Sequence, residues 1–204
     1  MIYIGIDPDL HRTGVAVISE VNGEVIGFAP HCLKVSTDMR AEDAAIAMGR
    51  QLRVFFNGAN DTIDAAGGGV VAIEGQEIAY TGRSGKNPRS VLHLAWVSGA
   101  VIAAAHYHKI YLWAPAKWKG TSPKHIHQAR TYKQFGWGAR KHGSGKECYC
   151  QPVGDDVKDL EKECGINPGD WKHVGDAMGL ALKAREVYKR ESARQEFFNG
   201  PARN

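Results

Sequence analysis

Two short apolar runs, each closed by a carboxylate, constrain this chain more than any other feature. Ile2-Tyr3-Ile4-Gly5-Ile6 ends at Asp7, and Val70-Val71-Ala72-Ile73 ends at Glu74. Such runs read as buried strands. An acid at the end of a buried strand is costly to desolvate unless a cation or good donors meet it. A third acid, Asp176, falls in the first turns of a helix expected over residues 171–194, beside apolar Val174 and Ala177. Three converging carboxylates repel one another, and a bound divalent metal is the natural resolution. His173 lies three residues before Asp176 on the same helical face and adds a nitrogen donor. Taken singly, each has a plainer account. Asp7 before Pro8 can start a turn, Glu74 can be a surface acid, and His173 or Asp176 can answer the helix dipole.

Around these residues the pattern alternates between sheet and helix. Pro8, Asp9 and Gly14 punctuate a turn after the first strand, and apolar character resumes over residues 15–18. Asn22-Gly23 is a hairpin signal, followed by a third strand through about Cys32. Residues 41–56 carry Ala45, Met48, Leu52 and Phe55 at helical spacing, and Gly67-Gly68-Gly69 breaks the chain before the strand at 70–73. A second helix is expected over 88–106, apolar around most of its circumference and therefore well buried, with Ala95, Gly99 and Ala103 as a small-residue ridge. Residues 110–113 read as a fifth strand ended by Pro115, and Pro123 starts a polar, basic helix to about Phe135. Residues 136–171 are rich in Gly, Cys and charge and read as an insertion or mobile excursion, and 199–204 as a disordered tail. The sum is one α/β domain over 1–198, a mixed sheet flanked by helices.

Charge is segregated. Between Ile78 and Lys146 there is no Asp or Glu, yet twelve Lys and Arg residues lie there, among them Arg83, Lys117, Lys119, Lys124 and Lys133. The total is only +4, so the rest of the chain is net acidic at −8. A solvated face usually mixes signs, whereas this division suits a polyanion-binding surface beside a carboxylate-bearing site. No apolar run approaches the roughly 18 residues of a membrane span, and the N-terminus has no basic leader. The four cysteines, Cys32, Cys148, Cys150 and Cys164, form no regular framework, which suits a reducing, cytoplasmic setting. His142 with Cys148, Cys150 and Cys164 offers zinc-binding atoms, but Cys-x-Cys with distant partners is not a standard spacing. Of the tryptophans, Trp96 and Trp113 sit in apolar segments and read as core, while Trp118 and Trp137 lie in basic, polar stretches and read as nucleic-acid contacts.

Ile4-Gly5-Ile6-Asp7-Pro8, with Thr13-Gly14-Val15-Ala16 beyond it, resembles the opening strand and hairpin of RuvC-type resolvases, which belong to the RNase H-like superfamily. Val71-Ala72-Ile73-Glu74 is similar to the strand that carries their second acid. Trp113-Ala114-Pro115-Ala116-Lys117-Trp118-Lys119-Gly120 is similar to their fifth strand and basic loop, and His173-Val174-Gly175-Asp176-Ala177 to their terminal helix. The resemblance implies an RNase H-like five-stranded mixed sheet and an endonuclease that resolves four-way (Holliday) DNA junctions by paired symmetric nicks. It further implies two Mg²⁺ or Mn²⁺ ions per site on Asp7, Glu74, His173 and Asp176. Lys119 would then stabilise phosphate charge, with Lys117 and Lys124 on the flanking backbone, Arg83 and Lys133 on the wider DNA surface, and Tyr80 stacking on an opened base. It implies a homodimer and no nucleotide cofactor. Asp9 stands where many relatives have glycine and adds negative charge near the metals. The atypical excursion would suit a bacteriophage member, working in its host's cytoplasm.

Other readings stay open on sequence alone. One is an RNase H-like nuclease of other branched or hybrid substrates, and another a non-catalytic nucleic-acid-binding scaffold of the same fold. A Gly-Ile-Asp strand opening a hairpin also occurs in actin-like phosphate binders, but this chain lacks a second glycine-rich phosphate loop. Cleavage of a synthetic four-way junction with Mg²⁺ or Mn²⁺, set against ATP turnover and bare binding, separates these classes.

Overall fold

Side-chain alternation along two neighbouring strands decides which face of the sheet receives the acids. In the computed structural model, residues 1–75, 88–105, 109–145 and 148–199 are described, with only the backbone at 88–91 and 198–199. Strand β1 (Ile2–Asp7) pairs antiparallel with β2 (Arg12–Val21), which pairs antiparallel with β3 (Glu24–Lys34). Helix α1 (Ala41–Ala65) leads to β4 (Gly69–Glu74), parallel to β1, and helix α2 (Pro88–Ala104) leads to β5 (Lys109–Trp113), parallel to β4. The sheet order is β3-β2-β1-β4-β5. Ile2, Ile4 and Ile6 of β1 and Val71 and Ile73 of β4 point to one side, where they pack on Met48, Leu52, Phe56 and Ile63 of α1 and Val97 and Val101 of α2. Tyr3, Gly5 and Asp7, with Val70, Ala72 and Glu74, therefore face the other side.

That other side belongs to the last helix, α6 (Trp171–Asn199). Val174, Ala177, Met178, Leu180, Ala181 and Ala184 are fully buried against the sheet. The helix comes very close. A Cβ on Gly5 would lie 1.9 Å from the carbonyl oxygen of Ala177, and one on Gly14 would lie 2.4 Å from the carbonyl carbon of His173. Ion pairs fix α6 at its sides. Arg185 bonds Glu20 of β2, while Lys109 and Tyr111 of β5 bond Glu191 at 2.5 and 2.7 Å. Ahead of the helix, fully buried Asp170 meets Lys34 at 2.5 Å and Arg12 at 3.5 Å, tying its start to β2 and β3.

Short helices α3 (Pro115–Lys119) and α4 (Lys124–Lys133) carry the chain from β5 to the first turns of α6. Pro115, expected only to end a strand, occupies the first turn of α3, where its missing N–H costs nothing. Residues 136–171, expected as a loose excursion, form a hairpin of β6 (Gly138–His142) and β7 (Tyr149–Val153), then α5 (Asp155–Cys164) and a short 3₁₀ turn (Pro168–Asp170). They are held because Trp137, Cys150, Val157 and Ile166 share one apolar cluster with Tyr132 of α4 and Trp171 of α6. Two further expectations change. Helix α1 continues nine residues beyond Phe56, because Ile63 lies on the same buried stripe and its packing outweighs the weak helix formers before it. Helix α2 is not buried all round: Leu92, Trp96 and Ile102 are 50, 42 and 41 % exposed, and Ala95, Gly99 and Ala103 lie on the exposed side.

The close approach at Gly5 generates a prediction. Gly5→Ala must push α6 off the sheet, with an expected loss of at least about 2 kcal/mol in chemical denaturation. Gly99→Ala, where a Cβ meets nothing within 4 Å, should change stability by less than about 1 kcal/mol. Equal effects of the two substitutions would show that the approach is not tight.

Candidate metal and nuclease site

Asp7 and Glu74 end adjacent parallel strands, so their side chains emerge side by side on the α6 face. Helix α6 brings Asp176 to the same point, and one carboxylate oxygen from each of the three lies within 4.8 Å of the others. All three residues are buried, at 8, 9 and 2 % exposure. His173 stands one turn earlier, with Nδ1 3.0 Å from Asp7 Oδ2. Asp9 stays out of the cluster. Its Oδ1 accepts from the backbone N–H of His11 and Arg12, closing the β1–β2 turn that a glycine would otherwise make.

The electrostatics show a site with too much negative charge for its burial. Burial and the charge of Asp7 push the Glu74 carboxyl up to about 7, against the pull of Lys119. Burial also raises Asp7, but the His173 hydrogen bond and charge, with Lys124 and Lys119, outweigh it and leave Asp7 below the usual carboxylate range. Burial lowers His173 in turn, and the Asp7 bond reverses this, so His173 stands above its ordinary value. Lysines supply the compensation within the chain. Lys124 Nζ is 2.7 Å from Asp176 Oδ2, and Lys119 Nζ is 3.4 Å from Glu74 Oε2 and 3.6 Å from Asp176 Oδ2. Hard carboxylate oxygens, one imidazole nearby and a Glu74 carboxyl still raised despite Lys119 fit a hard divalent cation.

A family model for the crossover junction endodeoxyribonuclease RuvC matches residues 3–122. The chain belongs to that family. Thermus thermophilus RuvC in complex with a Holliday junction substrate is similar in structure, with a TM-score of 0.50 and 16 % identity over 94 % of this chain and 96 % of that one. A second T. thermophilus RuvC structure is 19 % identical over 94 % of this chain and 97 % of that one, at a TM-score of 0.48. No curated protein sequence matches the chain. The five-stranded mixed sheet flanked by helices is thus the RNase H-like fold of RuvC. The family match spans Asp7, Glu74 and Lys119, while Lys124, His173 and Asp176 lie beyond it and reach the site through α4 and α6.

In this RuvC-family chain Lys124 stands closer to Asp176 than Lys119 does, because α4 begins directly beside α6. Lys117 and Lys133 are exposed on α3 and α4, and Tyr80 and Arg83 lie outside the described residues. Of the tryptophans, Trp113 packs on the core as expected, and the other three differ. Trp118 is 6 % exposed and donates its indole N–H to Glu74 Oε2 at 3.1 Å. Trp137 is buried among Phe28, Phe135 and Trp171, and Trp96 faces outward. Gln128, which the sequence did not single out, is fully buried and bonds Asp176. Among the described residues His142, Cys148, Cys150 and Cys164 form no metal-holding cluster. Cys150 fills the apolar core and Cys164 packs against it, as small hydrophobes do.

Glu74 makes the cost of the site measurable. Its folded value of about 7 lies above the ordinary 4.5, so the folded state favours the protonated form. Stability should therefore fall as pH rises from 4.5 to 7 and stay low above 7, by at most about 3 kcal/mol. With a chelator present, Glu74→Gln should raise the melting temperature strongly at pH 8 and only slightly at pH 5. A gain that does not change with pH would mean that Glu74 carries no such repulsion.

Proposed function

We propose that this RuvC-family endonuclease resolves four-way DNA junctions by hydrolysing phosphodiesters at the Asp7–Glu74–Asp176 cluster. The observation that carries this reading is the convergence of three buried acids, with Lys119 and Lys124 beside them, on the RuvC fold. Asp7, Glu74 and Asp176 would hold two divalent ions, Mg²⁺ or Mn²⁺. His173 joins as a neutral donor when a cation takes the place of its proton. Bound there, the ions would supply Lewis-acid stabilisation of the scissile phosphate and acidify the attacking water. The chain's own residues do the rest. Lys119 and Lys124 present ammonium groups at the edge of the cluster, where they meet the charge that develops on the phosphate. Exposed Lys117 and Lys133, with Arg83 on the acid-free segment, bind the junction arms and supply salt-dependent affinity, while Tyr80 stacks on an opened base. The free thiols suit a reducing cytoplasm.

The test separates chemistry from affinity. Asp7→Asn should reduce single-turnover cleavage of a synthetic junction by at least about a hundredfold, while gel-shift affinity changes little. Lys119→Ala should slow cleavage more than it weakens binding, and Lys133→Ala should do the reverse. Parallel loss of binding and cleavage in a folded Asp7→Asn protein would remove the assignment.

We further propose that the chain works as a homodimer through the exposed face of α2. A four-way junction has approximate two-fold symmetry, so paired nicks need two matched sites. Exposed Trp96 lines, with Ile46, Gly49 and Ala100, a groove of about 600 Å³ between α1 and α2. An exposed aromatic in the wall of a groove suits a two-fold contact in which the two α2 faces cover each other. Sedimentation should give a dimer, and Trp96→Glu a monomer that binds junctions more weakly and loses paired cutting. A monomeric native chain that still makes paired nicks would sink this part.

A further inference from the structure

Gln128 of α4 is fully buried and makes three hydrogen bonds. Its Nε2 donates to Asp176 Oδ1 and to the backbone oxygen of Lys172, both at 3.1 Å. Its Oε1 accepts from the backbone N–H of Cys150 in β7 at 2.8 Å. The assignment of the amide is forced. Turned over, it would set N–H against N–H at Cys150 and oxygen against oxygen at Asp176. One turn later on α4, Tyr132 donates to the backbone oxygen of Cys150 at 3.1 Å. Both backbone groups of Cys150 are therefore held by α4, and the hairpin meets the acid through one side chain. Gly175 makes room for this contact, since a Cβ there would lie 2.3 Å from Tyr132 Oη and 3.1 Å from Gln128 Nε2.

We propose that Gln128 is the positioning residue for Asp176, fixing which carboxylate oxygen faces the cation and making the β7 edge part of the active-site support. The inference rests on the reading of Asp176 as a metal ligand. With Oδ1 taken by a neutral amide, Oδ2 alone turns towards Lys124 and Lys119, and so towards the point shared with Asp7 and Glu74. A neutral donor orients the acid without cancelling the charge that attracts a cation, which a lysine in the same place would do. Groups that hold a ligating carboxylate in this way commonly change metal affinity by about 10- to 100-fold when removed.

The experiment is Mn²⁺ binding by calorimetry on the full chain without DNA. Gln128→Met has similar length and no donor, and it should weaken Mn²⁺ binding by about tenfold. Tyr132→Phe cuts the same hairpin contact without touching Asp176; it should lower the melting temperature but keep native Mn²⁺ affinity. Should Gln128→Met fail to fold, Gln128→Asn, an amide one methylene short of Asp176, carries the same expectation. Native Mn²⁺ affinity in the folded Gln128 variant overturns the proposal. So does an equal loss in Tyr132→Phe, which would mark general loosening. Asp176→Asn is the separate control: if it binds Mn²⁺ as tightly as the native chain, the ligand reading itself fails.

Discussion

The contact on which the rest of this structure depends is that of α6 with two glycines. Gly5 of β1 and Gly14 of β2 let the helix backbone rest on the sheet itself rather than on a layer of side chains. Helices normally pack at a distance set by the side chains between them. Here that layer is missing at the crossing point, so His173 comes within hydrogen-bonding range of Asp7, and Asp176 brings a carboxylate oxygen within 4.8 Å of those of Asp7 and Glu74. Asp7 pairs with Gly14 in the β1–β2 register, so the glycine that admits the helix lies directly across from the first acid. One backbone contact thus sets both the packing of the second layer and the size of the site.

The same closeness creates the electrostatic problem. Three carboxylates gathered on the buried side of a sheet cannot all be comfortably ionised, and the rise of Glu74 to about 7 is the sign of it. The chain tolerates the arrangement because α3 and α4 bring Lys119 and Lys124 to the acids and α6 brings His173 to Asp7. These partners are weaker company for three acids than a divalent cation would be, since each ammonium carries one charge and sits at the edge. Local stability is given up at the point where chemistry needs an unpaired demand for positive charge.

Much of this was legible in the sequence, for physical reasons that can be named. Strand alternation and a terminal acid are local features, so Asp7 and Glu74 could be singled out from spacing alone, as could His173 and Asp176 from a three-residue offset on a helix. The Asn22-Gly23 turn was equally local, and both residues adopt positive φ. What failed were side chains whose burial is decided by a distant partner. Trp118 and Trp137 stand among basic residues, yet each finds an acid for its indole N–H, Glu74 and Asp156 respectively. In a polar stretch nothing marks an aromatic as buried. Residues 136–171 looked loose because Gly, Cys and charge dominate them; the helical spacing of Val157, Leu160 and Cys164 was a signal present in the sequence, and the shared cluster with Tyr132 and Trp171 is what gives the segment its buried face. Gln128 in a polar helix carried no signal, because its meaning lies in three groups from other parts of the chain.

Each acid also has its own donor, and the donors differ in kind. Asp7 is held by an imidazole from α6, Glu74 by an indole N–H from α3, and Asp176 by an amide from α4. The indole and the amide cannot titrate and bring no charge, so they restrict a carboxylate's rotation while leaving its attraction for a cation intact. The imidazole can lose its proton and so release Asp7 when positive charge arrives from elsewhere. Burial lowers Lys124, but Asp176 and Asp7 outweigh it, so that lysine keeps its charge. A site built this way separates orientation from neutralisation. Neutral groups on packed helices do the first, and exchangeable charges do the second, so the carboxylates keep their places whichever cation is beside them.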